Sequence, residues 1–258
     1  MEASKGDGAG LAAVTPTTEL VRLSGVHKLY GRGVAGVHVL HDINMVVNPG
    51  EIVAICGPSG TGKTSLLHLA GMIEQASEGN VIVTNLLTSK LSEQARADLR
   101  GELIGFVFQT FSLIPVLTAQ ENVLLPLLLR GRLAPPALKA AERLAAELLA
   151  RVGLTTQAHH YPARLDDSQC QRVAIARSLI TRPRLVIADE PTSRLEHGAM
   201  RQVMDLFASQ QREHGTAFLI STRDQRQLSR VTRTLQLADG RLLQPSADAP
   251  RKPLRVRP

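Results

Sequence analysis

Glu51-Ile52-Val53-Ala54-Ile55-Cys56 runs directly into Gly57-Pro58-Ser59-Gly60-Thr61-Gly62-Lys63-Thr64 and then into Ser65-Leu66-Leu67-His68-Leu69-Ala70. A short apolar strand, a glycine-rich turn closing on Lys-Thr and an apolar helix make a phosphate-binding loop in the context it needs. Glycines let the backbone curl with its N–H groups inward, and the helix start adds its positive end to that nest. Gly57, Pro58, Ser59, Gly60, Thr61 and Gly62 are expected to cradle the phosphates of a nucleoside triphosphate. Lys63 is expected to reach the outer phosphates, and Thr64 to offer its hydroxyl oxygen to Mg2+. A chance glycine loop is the competing reading, but a second half of the site follows downstream.

That half is Arg184-Leu185-Val186-Ile187-Ala188-Asp189-Glu190, an apolar run ending in two acids. It reads as a buried parallel strand carrying its ligands at the carboxyl end. Asp189 is expected to hold Mg2+ through water. Glu190, one residue on and so pointing the other way along a strand, is placed to polarise an attacking water as general base.

Between the halves lies Leu165-Asp166-Asp167-Ser168-Gln169-Cys170-Gln171-Arg172-Val173-Ala174-Ile175-Ala176-Arg177, and Pro191-Thr192 follows Glu190. With the phosphate loop, this segment resembles the signature helix and Walker B of ABC-type ATPases over nearly the whole folded chain. The resemblance implies an α/β P-loop NTPase: an ABC-type nucleotide-binding domain with a RecA-like core, an antiparallel β subdomain and a helical subdomain. It implies ATP and Mg2+ as cofactors, Tyr30 as the adenine-stacking aromatic, and Gln109 as the Q-loop glutamine that touches metal and attacking water. Glu121-Asn122-Val123 and Pro126-Leu127 are most similar to the lipoprotein-releasing and macrolide-export branch. There the ATPase drives a membrane permease from the cytoplasmic face of the inner membrane, peripherally, as a dimer of two such domains.

Three departures from the family pattern stand out. The family signature Leu-Ser-Gly-Gly-Gln is here Leu165-Asp166-Asp167-Ser168-Gln169. In the family this segment grips the γ-phosphate held by the other subunit, and side chains at Asp167 and Ser168 obstruct a close backbone approach. Two like charges about 4 Å apart cost roughly 4 kcal/mol at an effective dielectric near 20, so Asp166 and Asp167 are expected to oppose an ATP-bridged dimer. The same acids suit a helix start by about 0.3 to 1 kcal/mol. Next, Arg223 precedes Asp224 where the family has a histidine at the γ-phosphate; it can grip phosphate but has no acceptor. Last, Ser193-Arg194-Leu195-Glu196 replaces a loop that commonly ends in aspartate, a change expected to be mild. Two functions follow. One is an ATPase subunit with weak hydrolysis at most when alone; the other is a non-hydrolysing, ATP-sensing or structural subunit of a membrane complex.

The remaining expectations come from composition and pattern. A chain of 258 residues suits one α/β unit, taken as 19–244, with residues 1–18 a disordered leader and 245–258 a basic, proline-rich tail. The helical subdomain is expected at about 91–165, including a helix over 137–152. A helix at 198–213, a strand at 216–221 and a hairpin at Asp239-Gly240 complete the core. Arginine outnumbers lysine four to one and is scattered, so the net charge of +7 reads as a solvated surface and nucleic acid is not expected as a partner. Cys56 and Cys170 are expected as separate thiols. Phe106 and Phe108 are assigned to strand core, and Phe111 to Leu117 to a groove that accepts a permease helix.

Overall fold

The computed structural model describes residues 19–31, 36–223 and 230–243; the expected leader, the basic tail and Asp224 lie outside them. Two sheets organise the chain. The first takes β1 (Val21–Tyr30), β2 (Val37–Val47), β4 (Glu78–Val83) and β5 (Leu86–Leu87) in the order β2-β1-β4-β5, antiparallel throughout. The second has six strands in the order β10-β9-β3-β8-β7-β6, built from β3 (Ile52–Cys56), β6 (Ile104–Val107), β7 (Leu185–Asp189), β8 (Ala217–Thr222), β9 (Arg233–Ala238) and β10 (Arg241–Leu243). Its strands pair in parallel except for the β9–β10 hairpin, which turns at Asp239-Gly240.

Every residue of β3, β7 and β8 is buried, as strands covered on both faces require. Alternation then divides them between two cores. Val53, Ile55, Leu185, Ile187, Ala217 and Leu219 face the antiparallel sheet and α1 (Lys63–Ala70). Ile52, Val186, Ala188, Phe218 and Ile220 face the other way. There they meet α3 (Ala119–Leu129), α4 (Pro135–Arg151), α5 (Asp167–Leu179) and α6 (His197–His214). Phe207 of α6 and Phe218 of β8, both fully buried, place their ring centroids 4.5 Å apart. Each such side chain contributes about 1.5 to 3 kcal/mol by leaving water.

Residues 91–165 hold α2 (Glu93–Leu103), α3 and α4, but β6 interrupts them and joins the parallel sheet beside β7. Gly105 makes that junction possible, because a Cβ there would stand 2.0 Å from the Ser178 carbonyl oxygen of α5. At the start of α3, Thr118 and Glu121 form a reciprocal cap. Asn122, fully buried, accepts from the Ile114 N–H at 2.7 Å and donates to the carbonyls of Ile114, Leu117 and Thr118. One amide thus organises the loop before the helix. Cys56 and Cys170 are buried free thiols. Among the described residues no helix is long and apolar enough to cross a membrane.

Candidate functional site

The carboxyl ends of β3, β6, β7 and β8 lie side by side, the edge where open α/β sheets bind ligands. From β3 the loop leaves through Gly57, where a Cβ would stand 2.1 Å from the Leu237 carbonyl oxygen of β9. Gly60 and Gly62 take φ of 80° and 96°, the left-handed region that glycine enters without strain. Gly62 then serves as N-cap of α1, so the first helical N–H groups open into the loop. Lys63 is buried, and its ammonium is turned back onto the carbonyls of Gly57 at 2.8 Å and Pro58 at 2.6 Å. Burial pushes its pKa down from the ordinary lysine value; Glu190 and Asp189 pull it up, and Arg223 adds to the depression. These are weak acceptors for a cation, which an incoming phosphate would replace with a full negative charge.

Thr64 donates its hydroxyl to Asp189 Oδ2 at 2.6 Å, and Ser221 of β8 donates to Oδ1 of the same buried carboxylate. Two oxygens from opposite halves of the site therefore meet, a donor set that fits a hard divalent cation such as Mg2+. Gln109 is exposed two residues beyond the end of β6, on this same edge. Tyr30 ends β1; its hydroxyl donates to Glu74 at 2.6 Å and lies 3.0 Å from Ser65 Oγ on α1. Lys28 covers one side of the Tyr30 ring at 4.8 Å and pairs with Glu74 at 2.8 Å. Burial raises the Tyr30 pKa, and the hydrogen bond to Glu74 raises it further.

Glu190 departs from the strand-alternation expectation. β7 ends at Asp189, and Glu190 takes φ of 48°, so a left-handed turn and not the pleat sets its direction. Its N–H is held by Ser221, at 2.9 Å to the hydroxyl and 3.2 Å to the carbonyl. Such a conformation costs about 1 to 3 kcal/mol and persists only where surroundings hold it. The carboxylate is not open to solvent: Arg223 donates to Oε2 at 2.6 Å. The second arm of that guanidinium bonds Ser59 Oγ at 3.1 Å. One arginine thus bridges the strand-end acid and the phosphate loop.

The acidic segment opens α5, as its acids suit a helix start. Asp166 is the N-cap of α5 in a reciprocal box with Gln169, accepting from its N–H at 2.7 Å. Asp167 pairs with Arg194, whose guanidinium also lies 5.2 Å from the centre of the Phe111 ring. The two carboxylates are therefore not bare charges: the first turn of α5 holds Asp166, and Arg194 pairs with Asp167. Nothing in the one-dimensional spacing of 27 residues could reveal the pairing.

The groove assignment is corrected as well. A cavity of about 760 Å3 is lined by Phe106, Phe108, Leu125, Pro126 and Leu129, together with Asp98 and Glu102, and by Ser112 alone from the stretch 111–117. Phe106 and Phe108 are half-buried and stack in parallel at 5.5 Å, so they form the groove wall and are not core alone. Phe111 turns instead toward Arg194, and its carbonyl accepts from Arg177 of α5 at 2.8 Å. Ser221, Ser65 and Glu74 were missed as site residues. Ser221-Thr222, a polar pair closing the otherwise apolar β8, was the one visible signal.

Comparison with known proteins bears on the family and the fold. Residues 40–193 match the family described as ABC transporter. The chain is 44% identical over 239 residues to the lipoprotein-releasing system ATP-binding protein LolD of Anaeromyxobacter dehalogenans, covering 92% of this chain and 96% of that protein. It superposes on the ATP-binding cassette MJ0796 in a dimeric post-hydrolysis state bound to ADP and Pi, with TM-score 0.82, 36% identity, and 87% and 97% of the two chains covered. It also matches cbiO1 of Clostridium perfringens, part of the ABC transporter complex cbiONQ, with TM-score 0.75 and 25% identity over 88% of each chain.

Proposed function

This chain belongs to the ABC transporter ATPase family, and from that premise we propose that it is the MgATP-binding subunit of a membrane transporter that hydrolyses ATP slowly when alone. The observation that carries the reading is Arg223 on Glu190. A general base must be basic enough to draw a proton from water, and here the buried carboxylate is paired at Oε2 with a permanent cation, which favours its charged form and makes it a poorer base. Gly57 to Thr64 would hold the phosphates, Tyr30 would stack on the base, and Thr64, Gln109 and Asp189 would hold Mg2+, which would supply neutralisation of phosphate charge. Glu190 acts as base once its partner is drawn away. The groove of Phe106, Phe108, Leu125 and Leu129 accepts a helix of a permease subunit. The domain works as a dimer on the cytoplasmic face of the membrane, as a peripheral subunit; the likeness to a dimeric cassette and to LolD supports both. The second reading, a subunit that binds ATP and never turns it over, is favoured by the same ion pair.

The test is steady-state ATP hydrolysis by the chain alone and by a variant carrying Asp166→Ser, Asp167→Gly, Ser168→Gly and Arg223→His. Slow or absent turnover in the first, with activity gained in the second, is expected. Turnover of the unaltered chain on the order of 1 per second or faster would overturn the proposal.

A further inference from the structure

Tyr30 keeps 38% of its surface exposed, yet its ring is held at three points. The hydroxyl donates to Glu74 Oε2 at 2.6 Å, in the bend after α1, and lies 3.0 Å from Ser65 Oγ in the first turn of that helix. Glu74 gathers the other contacts: its Oε2 also takes the Lys28 ammonium at 2.8 Å, and its Oε1 lies 3.1 Å from His68 Nδ1. Lys28 gives a second donor to the Gln75 carbonyl at 3.0 Å and stands 4.8 Å from the centre of the Tyr30 ring. Such a cation–π contact strengthens as the ammonium leaves water, and the Lys28 side chain is only 12% exposed. A pinned cation therefore covers one face of the ring, which leaves the other face to a ligand.

Ser65 follows Thr64 directly, so the hydroxyl end of the ring is tied to the helix whose start faces the phosphates. The span between an aromatic plane and the phosphate loop is thus set before any ligand arrives. A half-exposed tyrosine left free would have to be ordered by its ligand, and that ordering weakens binding. We propose that Lys28 and Glu74 are positioning residues for the nucleobase: together they hold Tyr30 so that one fixed face receives the base at a set distance from the loop. Lys28 acts through the ring and not on the phosphates, because its ammonium is committed to Glu74, Gln75 and the covered face. The inference rests on Tyr30 stacking on the base and extends that reading to the side chains behind the ring.

The test compares two ligands of the phosphate loop, only one of which carries a base. The full chain is titrated calorimetrically with Mg2+ and either the non-hydrolysable β,γ-imido analogue of ATP or inorganic tripolyphosphate. Tyr30→Ala should weaken the nucleotide by about tenfold, the scale of one base stacked on an aromatic ring, and leave tripolyphosphate as it was. Lys28→Met keeps the stem and removes the ammonium; it should weaken the nucleotide by about fivefold, again sparing tripolyphosphate. Glu74→Gln, which removes the charge that anchors Lys28, should act in the same sense. Lys28→Arg can still cover the ring and pair with Glu74, so it should keep most of the unaltered affinity. In the Tyr30→Ala background the effect of Lys28→Met should vanish. Equal weakening of both ligands by Lys28→Met would make Lys28 a plain attractor of phosphate and overturn the proposal. So would a nucleotide affinity that Lys28→Met leaves unchanged while Tyr30→Ala weakens it. An affinity unchanged in Tyr30→Ala would instead sink base stacking at Tyr30 itself, and the clamp behind it.

Discussion

Asp189 is the residue on which both halves of the site converge. Its two oxygens are satisfied by hydroxyls, Thr64 from the loop and Ser221 from the neighbouring strand. Ser221 also accepts from the Glu190 N–H, so it orders two acids with one hydroxyl. Replacing Ser221 with Ala should destabilise the fold by about 1 to 3 kcal/mol, the cost of leaving buried polar groups without a partner. Urea unfolding checks this, and a loss below about 0.5 kcal/mol would mean that water takes over the bonds. At this scale the sequence was readable where chemistry has a fixed spacing. Lys63, Thr64 and Asp189 were identifiable because a loop at a strand–helix junction and an apolar run ending in acids constrain each other. Arg194 with Asp167, and Arg223 with Glu190, were not. Those pairs depend on how loops fold back, and the turn at Glu190 overrode the alternation from which its direction was inferred.

The element that starts at Asp166 was recognised as a helix, and its acids suit that start; its cap follows the rule that an acidic N-cap and a Gln three residues later bond each other's N–H groups. Replacing Asp166 with Ala should cost about 1 kcal/mol, and replacing it with Ser much less, because Ser also caps. Paired denaturation curves compare the two. The β1–β2 hairpin carries a different kind of sensitivity. His27 Nδ1 lies 3.1 Å from His38 Nε2, and the His38 and His41 rings stand 3.7 Å apart. Burial, then the neighbouring charges of His38 and Arg241, lower the His41 pKa. The folded chain therefore resists a proton that the unfolded chain accepts near pH 6.5, so His41 makes stability fall as pH drops below that value. In His41→Asn the slope of melting temperature between pH 7 and pH 5.5 should be shallower. An unchanged slope would place the titration elsewhere. This cluster was invisible beforehand, because His27 meets His38 only through strand register.

At the scale of the whole molecule, the parallel core was legible from the apolar runs of β3 and β7 and the hairpin from Asp239-Gly240. The placement of β6 inside an otherwise helical stretch, and of Phe106 and Phe108 on a groove, followed from sheet order, which composition does not carry. A ligand that binds the folded state alone adds about 2.7 kcal/mol at a hundredfold excess over its Kd. For a domain of this size that corresponds to a rise in melting temperature of roughly 5 to 10 °C. MgATP should give such a shift and Lys63→Ala should abolish it; a shift that survives the substitution would locate binding outside the loop. The loop itself is gripped from two directions. Gly57 lies against Leu237 of the parallel sheet, while Gly62 lies against Leu40 and Val39 of the antiparallel one. The His41 N–H reaches across to the Gly240 carbonyl, tying the same two layers together. The cradle is therefore a seam, and its width is set by how the layers ride on each other. A polyphosphate seated there would act as a keystone: it would touch both layers at once, and shear between the sheets would loosen it.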